Sequence, residues 1–260
     1  MAAESTGRKI WRVIYPVIAL FVLYFGVIFG SMMFFSSASL SSGGLDASME
    51  KNFSIVTVIA LVLITVVEYL FFRRDYVEQS WESMKKPGWL LFLILFGAAA
   101  SHGLNLLVSL FNINGIFGSY EAVEAEIFAP GVIFVIIRAL ILAPIAEELV
   151  FRALVFRRMK EYTSFWPAAL VSSALFGLYH MNLGQGIYAF LFGILLAFLY
   201  DRFRNFLAPM LVHFGANLLS VILQYVKAEY PSMVVYIIMM VVMFAASAAA
   251  VIFVIRKMKT

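Results

Sequence analysis

The chain has 260 residues, 63% of them hydrophobic and 13% charged, with a mean hydropathy of +0.96. A soluble globular domain is nearer half apolar, so a water-soluble enzyme is excluded and an all-α, polytopic membrane bundle of about eight transmembrane helices is expected. There is no cysteine, which removes disulfides, thiolate metal sites and a cysteine nucleophile. The net charge of +4 sits in short clusters between apolar runs, the pattern of membrane orientation signals and not of a nucleic-acid surface, so no nucleic-acid partner is expected.

Eight apolar segments follow in order, at about 11–35, 53–72, 89–112, 131–157, 166–181, 185–200, 206–226 and 233–255. At a rise of about 1.5 Å per residue, most can cross a hydrocarbon layer about 30 Å thick. Segments 166–181 and 185–200 are the shortest and suit helices packed inside the bundle. Arg8, Lys9 and Arg12 precede the first segment, whose run from Val13 to Phe35 exceeds the roughly 7 to 15 apolar residues of a cleavable signal, so it reads as a retained anchor. The serine- and glycine-rich stretch 36–52 reads as an external loop. At 73–87, Trp81 beside Glu82, Lys85 and Lys86 suits the headgroup level before Pro87. The stretch 112–130, with Glu121, Glu124 and Glu126, reads as a solvated face that includes a short interfacial helix. Of the basic residues between segments, fifteen fall on one side of an eight-span chain and only Lys51 and Lys227 on the other, which predicts cytoplasmic termini in a plasma membrane.

The fourth segment holds Glu147, Glu148 and Arg152 inside an apolar run that continues to Arg157. A charge near a helix centre costs about 2.5 to 3.5 kcal/mol, so three need partners, water or a function. Glu148 and Arg152 are four apart on one helix face, acid before base, and can neutralise each other. Glu147 is turned about 100° away and left to face something else. Pro144, three residues earlier, opens the backbone ladder at that depth. Phe176-x-x-x-His180 ends the fifth segment and His213-x-x-x-Asn217 lies within the seventh. Counted from the basic ends, Glu147 is roughly 15 Å deep, His213 roughly 10 to 13 Å, Asn217 one turn further and His180 roughly 20 Å, so the four share one level. A carboxylate and two imidazoles meeting there can activate water as a general base, hold a divalent metal, or both, and Asn217 adds a donor for an oxyanion.

Glu-Glu-x-x-x-Arg, Phe-x-x-x-His and His-x-x-x-Asn in this order resemble the motifs of the CAAX-protease and bacteriocin-processing family of intramembrane endopeptidases, also called the Abi family. Phe190-x-x-Gly193 and Leu207-Ala208-Pro209 match looser features of the family. The resemblance covers about 129–220, a catalytic core set between an N-terminal three-helix segment, 1–128, and a C-terminal segment, 221–260, that completes the seventh helix and adds the eighth. It implies that Glu147, helped by His180, activates water. It also implies that His213 and Asn217 polarise the substrate or hold the oxyanion, with Glu148 and Arg152 in support. Ala153 departs from the glycine that often follows the arginine in this family. Members are also described as metalloproteases, so a divalent metal such as zinc on Glu147, His180 and His213 is the alternative chemistry. The implied substrate is a membrane-associated peptide or protein in contact with the bilayer, cut at a prenylated tail or in bacteriocin maturation.

Other protease designs fail on the sequence. Asp46, Asp75 and Asp201 all fall at span ends or in loops, so no aspartyl dyad can form, and no Gly-x-Ser-x-Gly is present. The rival functions are a non-catalytic immunity or scaffold protein of the same fold and a small transporter, which the lack of an internal repeat disfavours. His102 lies at similar depth and is a further candidate for lining the cavity. Glu68, near Arg73, reads as a boundary charge.

Overall fold

The computed structural model describes residues 5–39, 46–75, 79–86, 88–111, 132–227 and 229–258; Glu121, Glu124 and Glu126 lie outside them. The described residues are helical, without strand, as the apolar runs predict. The helices are α1 (Thr6–Ser39), α2 (Asp46–Arg74), α3 (Trp89–Leu110), α4 (132–160, in consecutive α and π stretches), α5 (Phe165–Tyr179), α6 (Leu183–Phe203), α7 (Leu207–Tyr225) and α8 (Met233–Lys257). A single 3-10 turn, Glu82–Met84, precedes α3. The stretch 36–52, expected as a loop, is helical at both ends, since α1 runs to Ser39 and α2 starts at Asp46.

α1, α2, α3, α6, α7 and α8 are each long and apolar enough to cross a membrane, which makes the chain an integral membrane protein. α5 is not: its 15 residues reach only roughly 22 Å. The turn between α5 and α6 satisfies its own backbone. The N–H of His180 bonds to Gly177 O, that of Met181 to Leu178 O, and Asn182 caps α6 by accepting from the N–H of Gln185. Such local closure allows a turn to lie below the membrane surface.

α4 is the axle. It packs against α1 and α2 on one flank and against α5, α6 and α7 on the others, and Leu149, Val150, Phe151, Ala153, Leu154 and Val155 are all buried. α7 is fixed from behind by α3. A Cβ on Gly97 would stand 1.8 Å from Val212 O and one on Gly215 2.0 Å from Ile94 O, so only glycine lets these two backbones meet. His213 lies within this contact and inherits its rigidity.

The basic ends of the helices gather at one end, yet not all of their charges are solvated. Arg158, read from sequence as an orientation charge, is fully buried. Its Nε donates to Asp75 at 2.7 Å, its Nη2 to the Tyr15 hydroxyl at 2.7 Å and its Nη1 to Arg12 O. Glu68 is likewise no boundary charge. It is 0% exposed, and neither carboxylate oxygen has a hydrogen-bond partner. Depth counted along a helix says how far a residue is from the end, not which way it faces, and Glu68 faces inward.

Candidate active site

Pro144 has no N–H to give the preceding turn, and α4 widens around it. The N–H of Ala143 reaches back five residues to Arg138 O, and π geometry covers Ile136–Leu142 before it and Leu149–Phe156 after it. π segments recur at functional sites. In a five-residue ladder the carbonyl of Ala139 would meet residue 144, a proline. Asn217 takes that acceptor instead, its Nδ2 donating to Ala139 O at 2.7 Å. Asn217 therefore stands beside α4 with an amide proton committed to the opened helix.

The pairing of Glu148 with Arg152 forms as the spacing predicts: Arg152 Nη1 donates to Glu148 Oε1 at 3.1 Å, with both side chains fully buried. The same oxygen is 2.9 Å from His213 Nδ1. A carboxylate held by a guanidinium only accepts, which assigns a ring proton to Nδ1. His213 Nε2 is then 3.7 Å from Glu147 Oε2, so one imidazole lies between two adjacent glutamates. Glu147 keeps 7% exposure and Glu148 none. Of the two carboxylates, Glu147 is the one that open space can reach.

His180 directly follows α5, and its Nδ1 donates to Phe176 O at 2.9 Å, leaving Nε2 as the acceptor of the neutral ring. Phe176 is the hub around which these groups are arranged. Its ring centroid lies 4.9 Å from that of His180 and 5.9 Å from that of His213, both edge-on, and the Arg152 guanidinium stands 4.3 Å over its face. Phe192 adds a second edge contact to His213 at 6.0 Å. Sequence reasoning missed the grip of Glu148 on His213, the hub role of Phe176 and the part of Phe192. Ser173, Phe176 and His180 at i, i+3 and i+7 do mark one face of α5, whereas nothing separates Phe192 from the other phenylalanines of the chain.

Among the described residues no three His, Asp or Glu side chains come together as a metal-ligand group. A catalytic zinc takes three protein donors. Glu147, His180 and His213 do not form such a group, and no step is derived through a metal. His102 pairs through Nε2 with the hydroxyl of Tyr230, between α7 and α8.

Residues 129–219 match the family model of the type II CAAX prenyl endopeptidase Rce1-like proteins. A curated relative, the "Putative membrane peptidase YdiL" of Bacillus subtilis (strain 168), is 37% identical over 89 residues, 34% of this chain and 36% of the relative. The chain thus spans about a third of the length of the relative it matches. No solved structure gives a significant match.

Proposed function

We propose, from the match of residues 129–219 to the Rce1-like type II CAAX prenyl endopeptidase model, that this protein is an intramembrane endopeptidase that hydrolyses a peptide bond of a membrane-associated peptide or protein. The observation that carries the reading is the placement of His213 between a fully buried, arginine-held Glu148 and a Glu147 that keeps slight exposure. Glu147 takes a proton from water as general base, with the acceptor Nε2 of His180 orienting the same molecule. The hydroxide adds to the scissile carbonyl and the developing oxyanion is held by hydrogen-bond donation, while His213, protonated on Nδ1, turns its acceptor Nε2 to Glu147 and steadies the proton that Glu147 gains. Asn217 assists with the amide proton not committed to Ala139. Glu147 then returns its proton to the leaving amine, which balances the reaction. Glu148 and Arg152 hold His213 and touch no substrate. The basic end of the bundle faces the cytoplasm of a plasma membrane.

The test is cleavage of membrane-proximal peptides, including a prenylated C-terminal peptide and its unmodified counterpart, by the purified full chain in nanodiscs. Glu147→Gln is expected to lower the rate by about 10²- to 10⁴-fold, the range for a lost general base, without unfolding the protein. Hydrolysis that survives Glu147→Gln would overturn the mechanism. Wild-type binding without cleavage of any peptide would point to the immunity or scaffold role. Activity that persists in a strong chelator, with no metal found by elemental analysis, is expected.

A further inference from the structure

Four fully buried polar atoms cluster behind His213 without a hydrogen-bond partner: Glu148 Oε2, Arg152 Nε, Arg152 Nη2 and Ser173 Oγ. Ser173 belongs to α5 and is completely buried. Across from it, on α6, a Cβ on Gly193 would stand 3.0 Å from Arg152 Nη2 and 3.0 Å from both Cβ and Oγ of Ser173. The free donor of the guanidinium and the free hydroxyl therefore border the same strip of α6 backbone, where a glycine leaves out the methyl that would crowd them. The guanidinium is already fixed on its other edge by Glu148 and on its face by Phe176. Arginine can only donate, whereas a serine hydroxyl both donates and accepts, so the two ends are complementary to one small molecule that does both. Orphaned buried polar groups are normally met by ordered water.

We propose that Ser173 is a positioning residue for the hydrolytic centre: with Arg152 Nη2 it holds one buried water in a socket kept open by Gly193. The chain of contacts then runs from Ser173 through the water to Arg152, from Arg152 to Glu148, and from Glu148 to His213 Nδ1, and its result is an imidazole that presents Nε2 to Glu147. A guanidinium anchored on one edge alone can swing about its Glu148 bond. Anchored on two, it fixes the carboxylate and with it the ring tautomer. The proposal rests on the assignment of His213 and Glu147 to the hydrolytic centre, but its structural half can be tested without any substrate.

The experiment compares wild type, Ser173→Ala, Ser173→Thr and Gly193→Ala in nanodiscs by 15N NMR of labelled histidine and by peptide hydrolysis. With only three histidines in the chain, the His213 signals are assignable by single substitution. Wild type is expected to show the Nδ1–H form of His213. Ser173→Ala and Gly193→Ala, which remove the water from opposite sides, should mix the tautomers and lower kcat about tenfold with KM little changed, the scale of one hydrogen bond to a charged group. Ser173→Thr keeps the hydroxyl and should restore the single tautomer. Ser173→Ala leaves no new cavity larger than the lost oxygen, so it folds even if Gly193→Ala does not. A His213 tautomer unmoved by Ser173→Ala overturns the proposal whatever the rates do. A mixed tautomer in a protein that cuts nothing leaves the socket standing and removes the protease reading instead.

Discussion

Two arginines lie six residues apart on α4, both completely buried, and they are treated in opposite ways. Arg158 has all three guanidinium nitrogens engaged, by Asp75, Tyr15 and the backbone of Arg12, and Asp75 has Arg157 as a second partner. Arg152 has one nitrogen engaged, by Glu148, and two without a hydrogen-bond partner. A fully satisfied buried ion cluster fastens elements together, here α1, the end of α2 and α4. An under-satisfied one is costly as structure and is kept where it does something else. The first holds the bundle and the second holds His213.

The sharpest way to break that contrast is to remove each arginine. Arg152→Met leaves Glu148 buried beside His213 with no cation, a loss on the order of 3 to 5 kcal/mol for an unpaired buried charge, and should abolish hydrolysis as well. The double variant Glu148→Gln/Arg152→Met removes the charge imbalance. It should recover most of the thermal stability in a melting experiment while hydrolysis stays down, because His213 Nδ1 has lost its carboxylate. Recovery of activity together with stability would mean that the pair is only structural.

Arg158→Met should have a smaller effect, and on stability alone. Asp75 retains Arg157, so the loss is that of hydrogen bonds to one charged group, about 1.5 to 3 kcal/mol, read as a lower melting temperature. Hydrolysis per folded molecule should not change. A specific loss of turnover in Arg158→Met would erase the distinction between the two arginines.

Much of this was legible before any coordinates. Run length located the eight helices of the described residues because burial in lipid demands continuous apolar sequence, and the 100° step between neighbours separated Glu147 from Glu148. What could not be read was rotation across helices. The burial of Arg158 and of Glu68 does not follow from their nearness to a span end, since position along an axis does not reveal which flank a neighbour covers. Pro144 signalled an opened ladder, but the π stretches on both sides, and hence the carbonyl that Asn217 meets, depend on how α4 packs. The link from Glu148 to His213 joins residues 65 apart in sequence and exists only once α3 and α7 meet at Gly97 and Gly215.

The smallest expected effect concerns His102, which shares the level of the site without sharing its contacts. Its Nε2 is engaged by the Tyr230 hydroxyl, and the two rings stack with centroids 6.2 Å apart. Tyr230 also packs edge-on against Tyr236, whose hydroxyl donates to Leu106 O, so the group ties α3 to the start of α8. His102→Phe keeps the ring and removes one hydrogen bond, worth about 1 kcal/mol. Hydrolysis should remain at the wild-type rate with the melting temperature slightly lowered. Tyr230→Phe, which deletes the same bond from its other end, should match it, and the double variant should be no worse than either single one. A loss of turnover in His102→Phe that Tyr230→Phe does not reproduce would put a third histidine into the hydrolytic centre, and the division between holding and reacting residues would have to be redrawn on α3 as well.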